Sequence, residues 1–178
     1  MVRETLRIIG LNPGTRYLGL AIFCGSELRD WQVKNTEGKW SQDKMTKITS
    51  TLLSLIDSYG ANVLAVKRIN PSRSSPNLNK LATQIENLSK VRKLRIYHYS
   101  IDEIKRYFQQ RSRKGLAEII AAAYPVLYHE LKKEQTNLNP YYIRMFEAVA
   151  LGSMCLQEVE RRKLRDERKD DIGYLIRN

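Results

Sequence analysis

Two apolar runs joined by one tight turn constrain this chain more than any other feature. Residues 4–11, centred on Ile8-Ile9-Gly10-Leu11, make a β-branched apolar run of the length expected for a buried strand. Asn12-Pro13-Gly14-Thr15 follows, with Pro at the first central position and Gly at the second, the chemistry of a type II turn. Apolar residues resume at once over about 16–23, and Gly25-Ser26 turns the chain into a third extended stretch at about 27–34. Three successive strands with tight turns pair as an antiparallel meander.

Beyond residue 40 the apolar period lengthens. Met45, Ile48, Leu52, Leu55 and Ile56 predict a helix over 41–59, closed by Gly60. Asn62 to Val66 is a short, continuous apolar strand, and residues 68–77, with two prolines, read as a loop. Leu78, Leu81, Ile85 and Leu88 predict a helix over 78–92, followed by a fifth strand from Leu94 to Tyr99. Ser100 and Glu103 are spaced as a capping box for a helix ending near Gln110. A basic linker at 111–114 leads to helices over 115–123 and, after Pro125, over 126–134. Asn137 to Pro140 breaks the chain. A last helix is expected over 141–162, with Phe146, Val149, Ala150, Met154 and Leu156 on its apolar face. The expected organisation is one domain over residues 1–160 and a charged C-terminal tail over 161–178. Strands separated by single helices pair in parallel. The fold class is therefore α/β, a five-stranded mixed sheet made of an antiparallel three-strand meander plus two parallel strands, with helices on both faces.

Charge is distributed unevenly along the chain. The net charge is +12 over 178 residues, yet residues 67–114 alone carry 13 basic and 3 acidic side chains. Residues 1–66 contribute a net +2 and residues 115–178 a net of zero. A basic excess concentrated in this way points to a polyanionic partner, of which nucleic acid is the commonest. No apolar run reaches the roughly 18 residues of a membrane span, and the N-terminal apolar stretch is too short for a signal peptide, so no membrane association and a cytoplasmic location are expected. Cys24 and Cys155 are too few and too far apart for a thiolate zinc cluster and read as buried free thiols. His98 and His129 have no partner at metal-ligand spacing.

Four segments together carry a resemblance. Ile8–Phe23 (IIGLNPGTRYLGLAIF), the stretch from Val63 to Leu88, Tyr99–Lys105 and Phe146–Leu156 (FEAVALGSMCL) fall in order along residues 5–157. They resemble the RuvC-type Holliday junction resolvases and, more distantly, the YqgF-type family. The resemblance implies an RNase H-like fold. It also implies a nuclease site in which acidic side chains from the first strand, the fourth strand and the last helix hold two magnesium or manganese ions. Such hard cations take oxygen ligands, activate water and stabilise the leaving oxygen.

Carried over position by position, that site is dismantled. The first-strand Asp falls on Asn12, the fourth-strand Glu on Lys67, and the last-helix pair on Arg144 and Glu147. Only Glu147 keeps a negative charge. Two unit charges about 4 Å apart interact by roughly 4 kcal/mol at an effective dielectric of 20, and a divalent ion doubles that. Lys67 would therefore repel a metal where the family attracts one. A lone charge at the end of a central strand needs a partner, so Lys67 is expected to pair with Glu147, its ammonium standing where a metal would. No metal or other cofactor is expected on this reading.

Binding does not require the lost acids. Arg16, Arg68, Arg73, Lys80, Arg111, Arg113 and Lys114 are the candidate contacts to a nucleic-acid backbone, with DNA the expected partner. Tyr97, Tyr99, Tyr107, Tyr141 and Tyr142 are candidates for stacking on unpaired bases. The leading expectation is a nucleic-acid-binding protein without metal-dependent nuclease activity. A second reading is an active magnesium- or manganese-dependent structure-specific endonuclease using other acids, for which Asp102, Glu103 and Glu118 are candidates. A third is a noncatalytic interaction subunit of a complex. A homodimer is an expectation of the resemblance, because the resolvases act as symmetric dimers on four-way junctions.

Overall fold

The structure, a computed structural model, describes residues 5–36, 38–136 and 141–175, with side chains described through Asp166. Strands β1 (Arg7–Asn12), β2 (Tyr17–Cys24) and β3 (Glu27–Asn35) form the meander, followed by helix α1 (Gln42–Tyr59). Strand β4 (Val63–Lys67), helix α2 (Pro76–Val91) and strand β5 (Arg95–Tyr99) come next. Helices α3 (Ile101–Tyr107), α4 (Arg113–Ala123), α5 (Tyr128–Thr136) and α6 (Ile143–Leu175) complete the chain. The sheet order is β3-β2-β1-β4-β5. β1 and β2, and β2 and β3, pair antiparallel, whereas β4 pairs in parallel with both β1 and β5. This is the expected five-stranded mixed sheet.

The three central strands, β1, β2 and β4, divide their side chains between two buried faces. Ile9, Leu11, Leu20, Ile22, Leu64 and Val66 pack under α1 and α2, against Ile48, Leu52, Leu81 and Ile85. Ile8, Ala21, Phe23, Val63 and Ala65 pack on the opposite face against α3, α4 and α6, through Ile104, Leu116, Ile120 and Phe146. Burial on both faces is why β1 and β4 are apolar throughout rather than alternating. Two glycines set how closely α6 approaches. A Cβ on Gly10 would stand 2.0 Å from the Ala148 carbonyl oxygen, and one on Gly19 would stand 2.2 Å from that of Arg144. The backbone of α6 therefore rests on the strands themselves.

Several boundaries differ from the expectations, each for a local reason. The strand expected over 4–11 begins at Arg7, and residue 4 lies outside the described residues. Helix α2 begins at Pro76 rather than 78, because Ser75 accepts a hydrogen bond from the Leu78 amide and Pro76 suits the first turn. The preceding loop contains a short 3-10 turn, Pro71–Arg73. The basic linker expected over 111–114 is shorter, since Ser112 caps α4 and places Arg113 and Lys114 in its first turn. The break expected at 137–140 lies outside the described residues. The last helix does not stop at 162. The charged segment that follows extends α6 as helix to Leu175, with residues 161–166 exposed. Cys155 is buried as expected, but Cys24 is only half-buried.

Candidate functional site

β1 and β4 are neighbours in parallel register, Leu11 beside Val66, so Asn12 and Lys67 end at the same edge of the sheet. The first turns of α6 cross that edge and bring Arg144 and Glu147 to it. The four residues carried over from the resemblance thus converge. Glu147 Oε2 accepts a hydrogen bond from Asn12 Nδ2 at 2.6 Å and another from Lys67 Nζ at 2.7 Å. Asn12 and Glu147 are each 1% exposed. A fifth residue joins them from α4: Arg113 Nε stands 3.1 Å from Glu147 Oε1, an ionic contact without the alignment of a hydrogen bond. One buried carboxylate faces two cations directly, with Arg144 as a third nearby charge.

Burial governs the protonation of this centre. Loss of water pushes the Lys67 ammonium below its ordinary pKa, and the Glu147 carboxylate opposes that shift without cancelling it. Burial likewise lowers the Arg144 guanidinium, beside which Arg113 is a repelling neighbour. The Arg144 side chain finds no hydrogen-bond acceptor among the described residues. It lies over Gly14, where a Cβ would stand 2.7 Å from Arg144 Nη1 and 2.3 Å from the Tyr17 carbonyl oxygen. This close approach explains Gly14. The expected type II turn is absent: it requires positive φ at Gly14, whereas Gly25, Gly38 and Gly60 are the described glycines with positive φ.

These residues do not fit the two-metal centre that the resemblance implies. A divalent ion needs several oxygen lone pairs directed at one point. Here Asn12 and Lys67 direct N–H donors at the one carboxylate, and Arg113 faces its other oxygen. Nor do other acids assemble: among the described residues no three His, Cys, Asp or Glu side chains are grouped as metal ligands. Asp102 pairs with Lys105 at 3.1 Å, and Glu118 is exposed on α4. Glu103 is engaged in the capping box with Ser100 and in an ion pair with Arg68 at 3.2 Å.

The remaining predicted basic residues surround this edge without entering the centre. Arg16 is exposed in the β1–β2 connection with its guanidinium 5.6 Å from the Tyr17 ring centroid. Arg68 follows β4, Arg73 lies in the 3-10 turn, Lys80 is on α2, and Arg111 and Lys114 flank the start of α4; all are exposed. The tyrosines are mostly spent on the protein itself. Tyr99 is buried and donates to Glu158 at 2.8 Å, and Tyr107 donates to Gln157. Tyr141 stacks between Tyr17 and Tyr142. By sequence Arg113 is a backbone contact; the structure places it at the centre instead. Ser112, as the N-cap, marks where α4 begins, but nothing local marks that its first turn meets α6.

Comparison with known proteins agrees with this geometry at the level of the fold. No protein-family profile and no curated protein matches the chain. Among solved structures, Thermus thermophilus RuvC in complex with a Holliday junction substrate superposes with a TM-score of 0.63 at 14% identity, covering 83% of this chain and 90% of that one. RuvC from the same organism, in a second structure, gives a TM-score of 0.62 at 13% identity, covering 83% and 92%. The yeast mitochondrial Holliday junction resolvase Ydc2 gives 0.58 at 14% identity, covering 89% and 81%. The chain has the RNase H-like fold of the RuvC-type resolvases. No described helix is long and apolar enough to cross a membrane.

Proposed function

We propose that this chain is a nucleic-acid-binding protein of RuvC-like fold that engages branched or structured DNA through its basic edge and does not cleave it by a metal-dependent route. One observation carries the reading: the Lys67 ammonium sits 2.7 Å from the single carboxylate of the centre. A positive charge at that point favours a phosphate and repels the divalent ions that cleavage would need. The exposed cations Arg16, Arg68, Arg73, Lys80, Arg111, Arg113 and Lys114 supply charge at the same edge of the sheet, and phosphate contact asks for no more than charge and N–H donors. The RuvC neighbour bound to a junction supports a branched substrate. A cytoplasmic location and a homodimer belong to the same proposal.

The test joins a binding assay to a metal titration. Fluorescence anisotropy with a labelled four-way junction should give saturable binding that weakens steeply between low and moderate salt. Calorimetry with magnesium and manganese should give no binding heat at the centre, and the junction should stay intact with either metal. Cleavage that Glu147→Ala abolishes would overturn the noncatalytic part. Absence of binding to junction, duplex and single strand would overturn the whole.

A further inference from the structure

The first 66 residues hold 8 basic and 6 acidic side chains, a near balance that conceals their separation in space. β3 runs in the same direction as β1, two strands away. Its acids Glu27 and Asp30 therefore lie toward the end where β1 begins, and Asp57 lies on the last turns of α1, whose Tyr59 hydroxyl donates to Asp30. Lys34, Lys39, Lys44 and Lys47 gather at the opposite end, where β3 leaves the sheet and α1 starts.

There the chain forms a cleft of two adjoining lobes. One, of ≈ 510 Å³, is lined by Arg16, Trp40 and Asn77 among others. The second, of ≈ 550 Å³, is lined by Lys34, Lys39 and Lys47. Asn35, Thr36 and Lys44 border both, and Asp43 is the one acid among the described lining residues. Each lobe is of the size that holds a small ligand.

Lys44 is the informative residue. It is 9% exposed, and its Nζ donates to the Gly38 carbonyl oxygen at 2.9 Å. No carboxylate pairs with it among the described residues. One neutral acceptor for three donors leaves the ammonium, which lines both lobes, with donors to offer an anion in the cleft. Trp40 packs half-buried against the apolar residues under α1 and contributes to the same wall. The asparagine amides of Asn35 and Asn77 provide both donors and acceptors. Cations for phosphate, an indole for a base face and amides for a base edge are together what recognition of a nucleotide unit requires. The cleft also continues from the charge-inverted centre: Gly14 lies under Arg144, and Thr15 and Arg16 form the next stretch of wall.

We propose that this cleft binds an unpaired nucleic-acid strand, one base stacking on Trp40 while phosphates lie on Arg16, Lys44 and Lys47. The inference rests on the nucleic-acid-binding reading and adds to it a subsite for single strands. Its test uses the full chain carrying Trp31→Phe, which leaves Trp40 as the only tryptophan of two. Ten-nucleotide oligothymidylate, a blunt four-way junction and free thymidine monophosphate are titrated, reading Trp40 emission and, for the labelled DNAs, anisotropy. Oligothymidylate should quench Trp40 saturably. Trp40→Ala should weaken the single strand roughly tenfold and leave the junction unchanged. Arg16→Ala and Lys47→Ala, both on the surface, should each lower the salt slope of single-strand binding by about 1. Oligothymidylate binding without any change in Trp40 emission would overturn the cleft and leave the general reading standing. Equal quenching by the free mononucleotide at the same concentration would overturn the strand. Failure of every DNA to bind would remove the general reading and this inference with it.

Discussion

At Glu147 a carboxylate with 1% exposure is met by Asn12, Lys67 and Arg113. Removing one partner of such a group leaves a charge both buried and undercompensated. Lys67→Met should therefore destabilise the protein by about 3 kcal/mol in a denaturant titration with an unchanged m-value. Lys67→Met with Glu147→Gln should recover most of that loss, because both charges go together. The protonation of Lys67 provides a separate check. Its folded pKa is lowered, chiefly by burial, so between that value and the ordinary 10.5 the unfolded chain holds more protons than the folded one. Stability should rise with pH across that window as Lys67 loses its poorly solvated charge, and Lys67→Met should flatten the rise. An NMR titration of the Lys67 side chain should place its pKa below the ordinary lysine value, and lower again in Glu147→Gln.

At the scale of elements, α3 and α6 show two ways in which a helix is located. α3 is positioned locally: Ser100 Oγ accepts from the Glu103 amide, and Glu103 accepts from the Ser100 amide at 2.6 Å. Ser100→Ala should cost about 1 kcal/mol. The hydrogen bond from the Ser100 amide, with the Ser100 side chain beside it, holds the Glu103 carboxyl below its ordinary 4.5. Its contribution is complete above that value and is lost as pH falls through the lowered one, so amide exchange in the first turn of α3 should quicken in acid. Glu103→Ala should remove that acid response. α6 is positioned by what is missing beneath it, since Gly10 and Gly19 have no side chain to hold it off the sheet. Gly19→Ala should destabilise by about 3 kcal/mol in thermal or chemical unfolding. It should also weaken junction binding, because displaced first turns of α6 carry Arg144 and Glu147 away from Asn12.

At the scale of the molecule, the parallel register of β1 and β4 gathers their ends, the start of α4 and the first turns of α6 at one edge. Cations from distant parts of the sequence become neighbours there, while the acids of β3 lie toward the other end. Binding dominated by phosphate contacts releases counterions. Junction affinity measured by anisotropy should fall about a thousandfold between 50 and 200 mM salt, the lower end expected for six to ten such contacts. Arg68→Ala and Arg73→Ala should each reduce the slope of log affinity against log salt by about 1, with little dependence on sequence.

The antiparallel meander and the two-faced mixed sheet were legible in the sequence, because periodicity and turn residues are local properties; the inversion of charge at Lys67 was legible only through the resemblance. The pairing of Lys67 with Glu147 was legible by the same route, since a charge at the end of a central strand requires a partner and Glu147 is the one acid among the four carried-over positions. Three features were not. Gly14 suits a type II turn by sequence, yet a side chain there would meet the Tyr17 carbonyl oxygen and, laid over it from α6, the guanidinium of Arg144, 130 positions away along the chain. Arg113 joined the centre only because α4 packs on α6, a contact that no local pattern encodes. The basic cleft around Lys44 and Trp40 was hidden in a segment whose summed charge is close to zero. A sum along the chain is indifferent to which end of a strand each charge occupies; only tertiary structure separates them, and that separation is what a polyanion would meet.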